Sequence, residues 1–242
     1  MPALASPDWV RDAALRTWDE ARLFAQTALR FTTRPGRFAR EWASGGQPAL
    51  NPLAMLATAA GLLGSANSLL GRLIGLGSGA DSLVGDVLAA GAPFLHYALL
   101  GLGCHLVLRL FGSQRHLRDS VALALFAGAG PAALVNLLID AFGALLYLQA
   151  GRPPLLRGGL FATLHGPLRD LLVRFSAAGF VTFLVTFGLA LAALHQRKAA
   201  TALALLVTLV AAGVLFGLLP PLPFGTRLII WLRPLHFALW VD

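Results

Sequence analysis

Asn136 and Asp140 are the residues best suited to chemistry in this chain, because both interrupt an apolar run and lie four positions apart. That spacing stacks them on one face of a helix. An unpaired carboxylate at the centre of a membrane span costs about 3 kcal/mol on insertion scales, so it usually faces protein or water. The pair could therefore line a polar pocket or a path for a proton or cation. The other reading is one of depth. If the helix enters near Val121, roughly 20 residues at 1.5 Å each carry Asp140 to the far interface, where water or Arg152 is partner enough.

His96 and His105 form a second group, with Tyr97, Gly101 and His105 on one helical line and Cys104 on another. A metal needs ligands converging from several elements. No HExxH, CxxC or carboxylate pair joins these histidines. Neutral imidazoles hydrogen-bonded inside a helical bundle are the expectation, with no metal and no cofactor. The sequence also lacks a GxSxG elbow, a Walker loop and a GxGxxG on a strand-to-helix turn, so the expected activity is non-enzymatic.

The elements that must carry these residues follow from composition. Of 242 residues 57% are hydrophobic and 12% charged, with a mean hydropathy of +0.73. Soluble chains carry about a quarter charged residues. Cys104 is the only cysteine, which excludes a disulfide framework. The net charge is +8, and all but Lys198 of the 19 basic residues are arginine. They fall between apolar runs rather than in one stripe. That placement suits loops held at the anionic cytoplasmic face of a bilayer and argues against nucleic acid as partner.

Five apolar runs, 52–70, 88–108, 121–148, 175–194 and 199–219, approach the roughly 20 residues a membrane-crossing helix needs. The expected fold is an all-α, polytopic bundle of five transmembrane helices. Pro131 is expected to kink or divide the third. Before the bundle, residues 1–49 lack the apolar stretch and cleavage site of a signal peptide. Ser6-Pro7-Asp8-Trp9 reads as a helix start, and Trp9, Trp18 and Phe24 share one broad face of the helix that follows. Two readings of that face stand open: insertion into the headgroup layer, or packing on cytoplasmic loops of the same protein. After the bundle (50–222), segment 223–242 is apolar but holds Arg227 and Arg233, and reads as an interfacial helix. The connection 149–174 could hold a short surface helix at 168–173.

With the N-terminus inside, the cytoplasmic segments hold 12 basic residues and the opposite side 7, which orients the chain N-inside and C-outside. In a bacterium this is the cytoplasmic membrane. Association between helices in lipid relies on small residues. Ala57, Gly61 and Ser65 form one such ridge, Ala60, Gly64 and Ser68 a second, and Ala178, Thr182, Thr186 and Ala190 a third.

The stretch His105-Leu106-Val107-Leu108-Arg109-Leu110-Phe111-Gly112-Ser113-Gln114-Arg115-His116-Leu117-Arg118-Asp119-Ser120, followed by Phe126-Ala127-Gly128-Ala129-Gly130-Pro131, resembles the Yip domain of Ypt/Rab-interacting membrane proteins and their bacterial relatives. The turn His195-Gln196-Arg197-Lys198-Ala199 is similar to that family's tight connection between its fourth and fifth helices. The resemblance covers about residues 50–220. It implies a compact five-helix membrane domain without catalytic residues. The first 45 residues lack the acidic region through which such proteins meet Rab GTPases, so it implies the fold rather than a GTPase partner.

The resulting expectation is a membrane protein that organises the bilayer or partner membrane proteins, with itself among the partners a homo-oligomer would supply. The working surface would comprise Trp9, Trp18, Phe24, Arg34, Arg37, Arg40, Arg115, Arg118, Arg197 and Lys198, facing anionic headgroups or a partner. The intramembrane polar candidates are Asn136, Asp140, His96 and His105. A small-solute or ion transporter using Asn136 and Asp140, and an accessory subunit of a larger membrane complex, are the alternatives.

Overall fold

The computed structural model describes residues 8–46, 48, 50–73, 83–151 and 164–218, and among them every regular element is helical. Helix α1 spans Asp8–Thr33 and α2 spans Pro35–Ala43. The break falls where Pro35 pushes the preceding residue out of the helical region: Arg34 has φ −142° and ψ 57°. Helix α3 spans Pro52–Leu73, with the Asn51 side chain accepting from the Ala54 N–H at 2.8 Å. Helix α4 spans Leu83–Leu110. It stops because Gly112 takes φ 79°, which lets the Ser113 N–H reach back to the Leu108 carbonyl at 3.0 Å.

Helix α5 (Leu117–Ala127), a π-helical turn (Gly128–Ala132) and α6 (Ala133–Gln149) form one continuous rod. The sequence leads one to expect a kink or a division at Pro131. The rod instead widens to a π turn around it. Proline has no N–H to give and its ring clashes with a carbonyl one turn back, and the wider turn moves the two apart. Helix α7 (Pro167–His195) opens with Pro167 in its first turn, and α8 spans Lys198–Leu218. Segment 168–173 is thus the start of α7 and not a separate surface helix. Gln196, left-handed at φ 55°, reverses the chain between α7 and α8.

Helix α4 packs against α3, α5 and α8, α2 lies along α7, and α1 crosses the π turn. The N-terminal helices do not stand apart from the bundle, because Phe24, Phe31 and Phe38 belong to the same buried core as Phe126, Phe183 and Phe187. Of the two small-residue ridges on α3, Ala60 and Gly64 are buried, whereas Ala57, Gly61 and Ser65 face outward and a Cβ at Gly61 would meet nothing within 4 Å.

By length and composition the rod Leu117–Gln149 can cross a membrane; four apolar stretches, Pro52–Ala66, Phe94–Leu110, Phe180–His195 and Lys198–Ala211, are shorter among the described residues. Outward faces are apolar too. Leu95 and Leu99 on α4, Leu138 and Leu145 on α6, and Leu206 and Val210 on α8 are all exposed.

Candidate functional site

The sequence places His105 near the end of one apolar run, His195 just past the end of another, and two serines in or beside the connection from α4 to α5. Folding brings all four into one line. His105 Nδ1 lies 3.0 Å from Ser120 Oγ, Ser120 Oγ lies 3.1 Å from His195 Nε2, and His195 Nδ1 lies 2.5 Å from Ser113 Oγ. All four residues are buried, and Ser120 is fully so. A hydroxyl between two imidazole nitrogens can donate its single proton to one and accept from the other. The line is therefore a chain of alternating donors and acceptors that can run in either direction.

Three arginines fasten the loops around this line. Arg115 Nε donates to the Leu194 carbonyl at 3.1 Å, Arg109 donates to the Ser113 carbonyl at 3.4 Å, and Arg197 donates to the Phe111 carbonyl. His195 is the last residue of α7 and is buried between the two serines. Because Ser120 is fully buried, no external substrate reaches its hydroxyl. The chemistry open to the line is tautomer exchange along it and the fixing of two interhelical connections to each other.

Ser120→Ala would leave His105 Nδ1 and His195 Nε2 without their shared partner. The expected cost is about 2–3 kcal/mol, read as a lower melting temperature of the purified protein in detergent.

Above the line lies a basic surface assembled from distant segments. Arg40, Ala43 and Ser44 line one cleft of about 170 Å³ together with Arg115, Ala193 and Leu194. Helix α2 approaches α7 closely at Gly36, where a Cβ would sit 3.3 Å from that of Ala193. Arg34, Arg37, Arg118, Arg197 and Lys198 are all exposed. Glu41 pairs with Arg30 and, at 2.8 Å, with Arg37 Nε. The hydrogen bond from Arg37, with the positive charge of both arginines, holds the Glu41 carboxyl below the usual carboxylate range. Arg118 Nε stands 3.7 Å from Asp119.

The remaining sequence candidates divide. Trp18 is exposed, whereas Phe24 is only 3% exposed and packs in the core. The face it shares with Thr27, Ala28 and Phe31 meets protein from residue 24 onward, which corrects the expectation that Phe24 inserts into lipid. The Trp9 side chain and segment 223–242 lie outside the described residues. The four intramembrane candidates do not form one site. Asn136 is hydrogen-bonded to Tyr97, His96 is buried with its ring 6.1 Å from that of Tyr97, and His105 belongs to the serine–histidine line. Asp140 is half-buried on α6.

Sequence reasoning missed Ser113, Ser120 and His195 as members of a site. The available signal was that buried imidazoles require polar partners, and the nearest polar residues to His105 and His195 sit in the connections. Compared with family models, curated proteins and solved structures, the chain matches none of them.

Proposed function

We propose that this chain is a multi-pass membrane protein of the Yip-like type that organises the bilayer or partner membrane proteins through a basic cytoplasmic face. In this reading the five apolar runs each cross the membrane, with the N-terminus inside and the C-terminus outside. Helices α3, α4, α7 and α8 run 22, 28, 29 and 21 residues. At 1.5 Å per residue each reaches the roughly 30 Å of a hydrocarbon core. Their exposed leucines and valines would meet lipid rather than water.

The observation that carries the functional reading is the meeting of basic residues from three distant segments at one end of the bundle. Arg40 and Arg115 share a cleft, and Arg197 bonds the connection that Arg115 belongs to. Only part of that charge is neutralised internally, by Glu41 and Asp119. Anionic headgroups or an acidic partner face would complete it.

The test neutralises charges that hold nothing in the core. Arg34→Gln, Arg118→Gln and Lys198→Gln together should weaken capture of phosphatidylglycerol-containing vesicles by the protein held in neutral nanodiscs. At about 1 kcal/mol per basic residue, the loss is on the order of a hundredfold. Binding should also fall with added salt. Unchanged capture, together with unchanged co-purifying proteins, would remove the proposed surface. Deleting residues 1–45 is the poorer experiment, because Phe24, Phe31 and Phe38 would leave the core with the arginines.

A further inference from the structure

Among the described residues, three clefts at the basic end of the bundle differ in charge. Two of them include Glu41 beside Arg30 or beside Arg30, Arg34 and Arg37, so a carboxylate already occupies the guanidinium donors. The third has Arg40 on one wall and Arg115 on the other and no acidic residue in its lining. Arg115 is held in place by the bond from its Nε to the Leu194 carbonyl, which leaves its terminal nitrogens for a ligand. The Ser44 hydroxyl donates to the Glu41 carbonyl at 2.9 Å, so the guanidiniums are the donors that face the cleft. Two guanidiniums without a counter-charge among the described residues, one of them pre-positioned, match the oxygens of a phosphate group.

The remaining walls indicate what the phosphate is attached to. Ala193 and Leu194 close the cleft with apolar surface. Below Ala193, at four-residue intervals along α7, come Leu189, Val185 and Val181, which are 55%, 51% and 53% exposed. One helical face thus leads from the guanidinium pair down an uncovered apolar ladder. A free phosphate has no use for such a ladder, whereas an acyl chain beneath a phosphate headgroup does.

We propose that the cleft between Arg40 of α2 and Arg115 of the α4–α5 connection binds the phosphate group of an anionic membrane lipid, with the lipid's acyl chain lying along Leu189, Val185 and Val181. The inference rests on the reading of this end as the membrane-facing cytoplasmic surface and adds a defined headgroup site to it. Arg40 makes it testable without disturbing the fold, because its side chain is exposed and holds no ion pair among the described residues.

The experiment uses the full chain purified in a mild non-ionic detergent. Phosphatidic acid, phosphatidylcholine, glycerol 3-phosphate and inorganic phosphate are titrated separately, with binding followed by native mass spectrometry and by the shift in melting temperature. Phosphatidic acid should bind and stabilise, and Arg40→Gln should weaken it at least tenfold, with Arg40→Lys recovering part of the loss. Arg169→Gln, an exposed arginine outside this cleft and outside the basic face, should bind as the wild type does. Equal losses in Arg169→Gln and Arg40→Gln would mean diffuse attraction and would overturn the site. Inorganic phosphate or glycerol 3-phosphate binding as tightly as phosphatidic acid would overturn the lipid assignment. Should Arg40→Gln leave phosphatidic acid binding intact while the basic face still captures phosphatidylglycerol vesicles, the cleft fails and the broader function stands.

Discussion

Phe126→Ala is expected to destabilise the protein by about 3–5 kcal/mol, the range for removing a fully buried aromatic ring. Phe126 lies at the end of α5 with no exposed surface, and three rings surround it. Phe38 and Trp42 of α2 stand 4.9 and 5.6 Å away, centroid to centroid, both edge-on, and Phe31 of α1 stacks at 6.1 Å. The loss should therefore have a location as well as a size. Helices α1 and α2 both send rings into this cluster, in addition to the packing of α2 along α7 and of α1 on the π turn, so the variant should become more open to proteolysis around Arg34, Arg37 and Arg40 before the bundle itself unfolds. Phe126→Leu keeps most of the volume and should cost about 1 kcal/mol. Thermal unfolding in detergent and a timed tryptic digest check both parts. A Phe126→Ala protein that melts and digests like the wild type would show that the N-terminal helices are anchored elsewhere.

Gly128→Ala is expected to cost about 3 kcal/mol, at the upper end of overpacking penalties. A Cβ at Gly128 would fall within 2.6 Å of Tyr97 Cγ and closer still to Cδ2. These are ring atoms near the root of the side chain, which cannot swing clear. The ring is also hemmed in by Phe183 at 4.4 Å and bonded to Asn136. Gly130→Ala is the control, since its nearest neighbour is the flexible end of Met55 at 3.2 Å, and it should cost less than about 1 kcal/mol. Combining Gly128→Ala with Tyr97→Leu should restore part of the stability, as contacting residues couple. Equal melting temperatures for Gly128→Ala and Gly130→Ala would contradict the close approach of α4 to the π turn.

Hydrophobic runs made the helices legible. The run 52–70 lies within α3 (Pro52–Leu73), 88–108 within α4 (Leu83–Leu110), and 121–148 within the rod Leu117–Gln149. Pro131 marked the irregularity of the rod but not its kind, because kink, division and π turn all relieve the same clash. The role of Phe24 was not legible, since lipid and protein select the same apolar face of a helix. The serine–histidine line was invisible for a different reason. Its bonds join residues 15, 75 and 82 positions apart, and no local pattern encodes such a juxtaposition. Asn136 and Asp140 drew notice because polar residues are rare in apolar runs, yet Asn136 has its partner in Tyr97 one helix away.

The central claim is that the basic end of the bundle and the far end of the Leu117–Gln149 rod lie on opposite sides of a bilayer. Gln114 and Gln149 are both exposed, near the two ends of that rod, and Cys104 is buried. Gln114→Cys and Gln149→Cys proteins, expressed in membranes, can be treated with a membrane-impermeant maleimide in right-side-out and in inside-out vesicles. The account predicts that Gln149→Cys reacts only in right-side-out vesicles and Gln114→Cys only in inside-out ones. Reaction of both cysteines from the same side would contradict it.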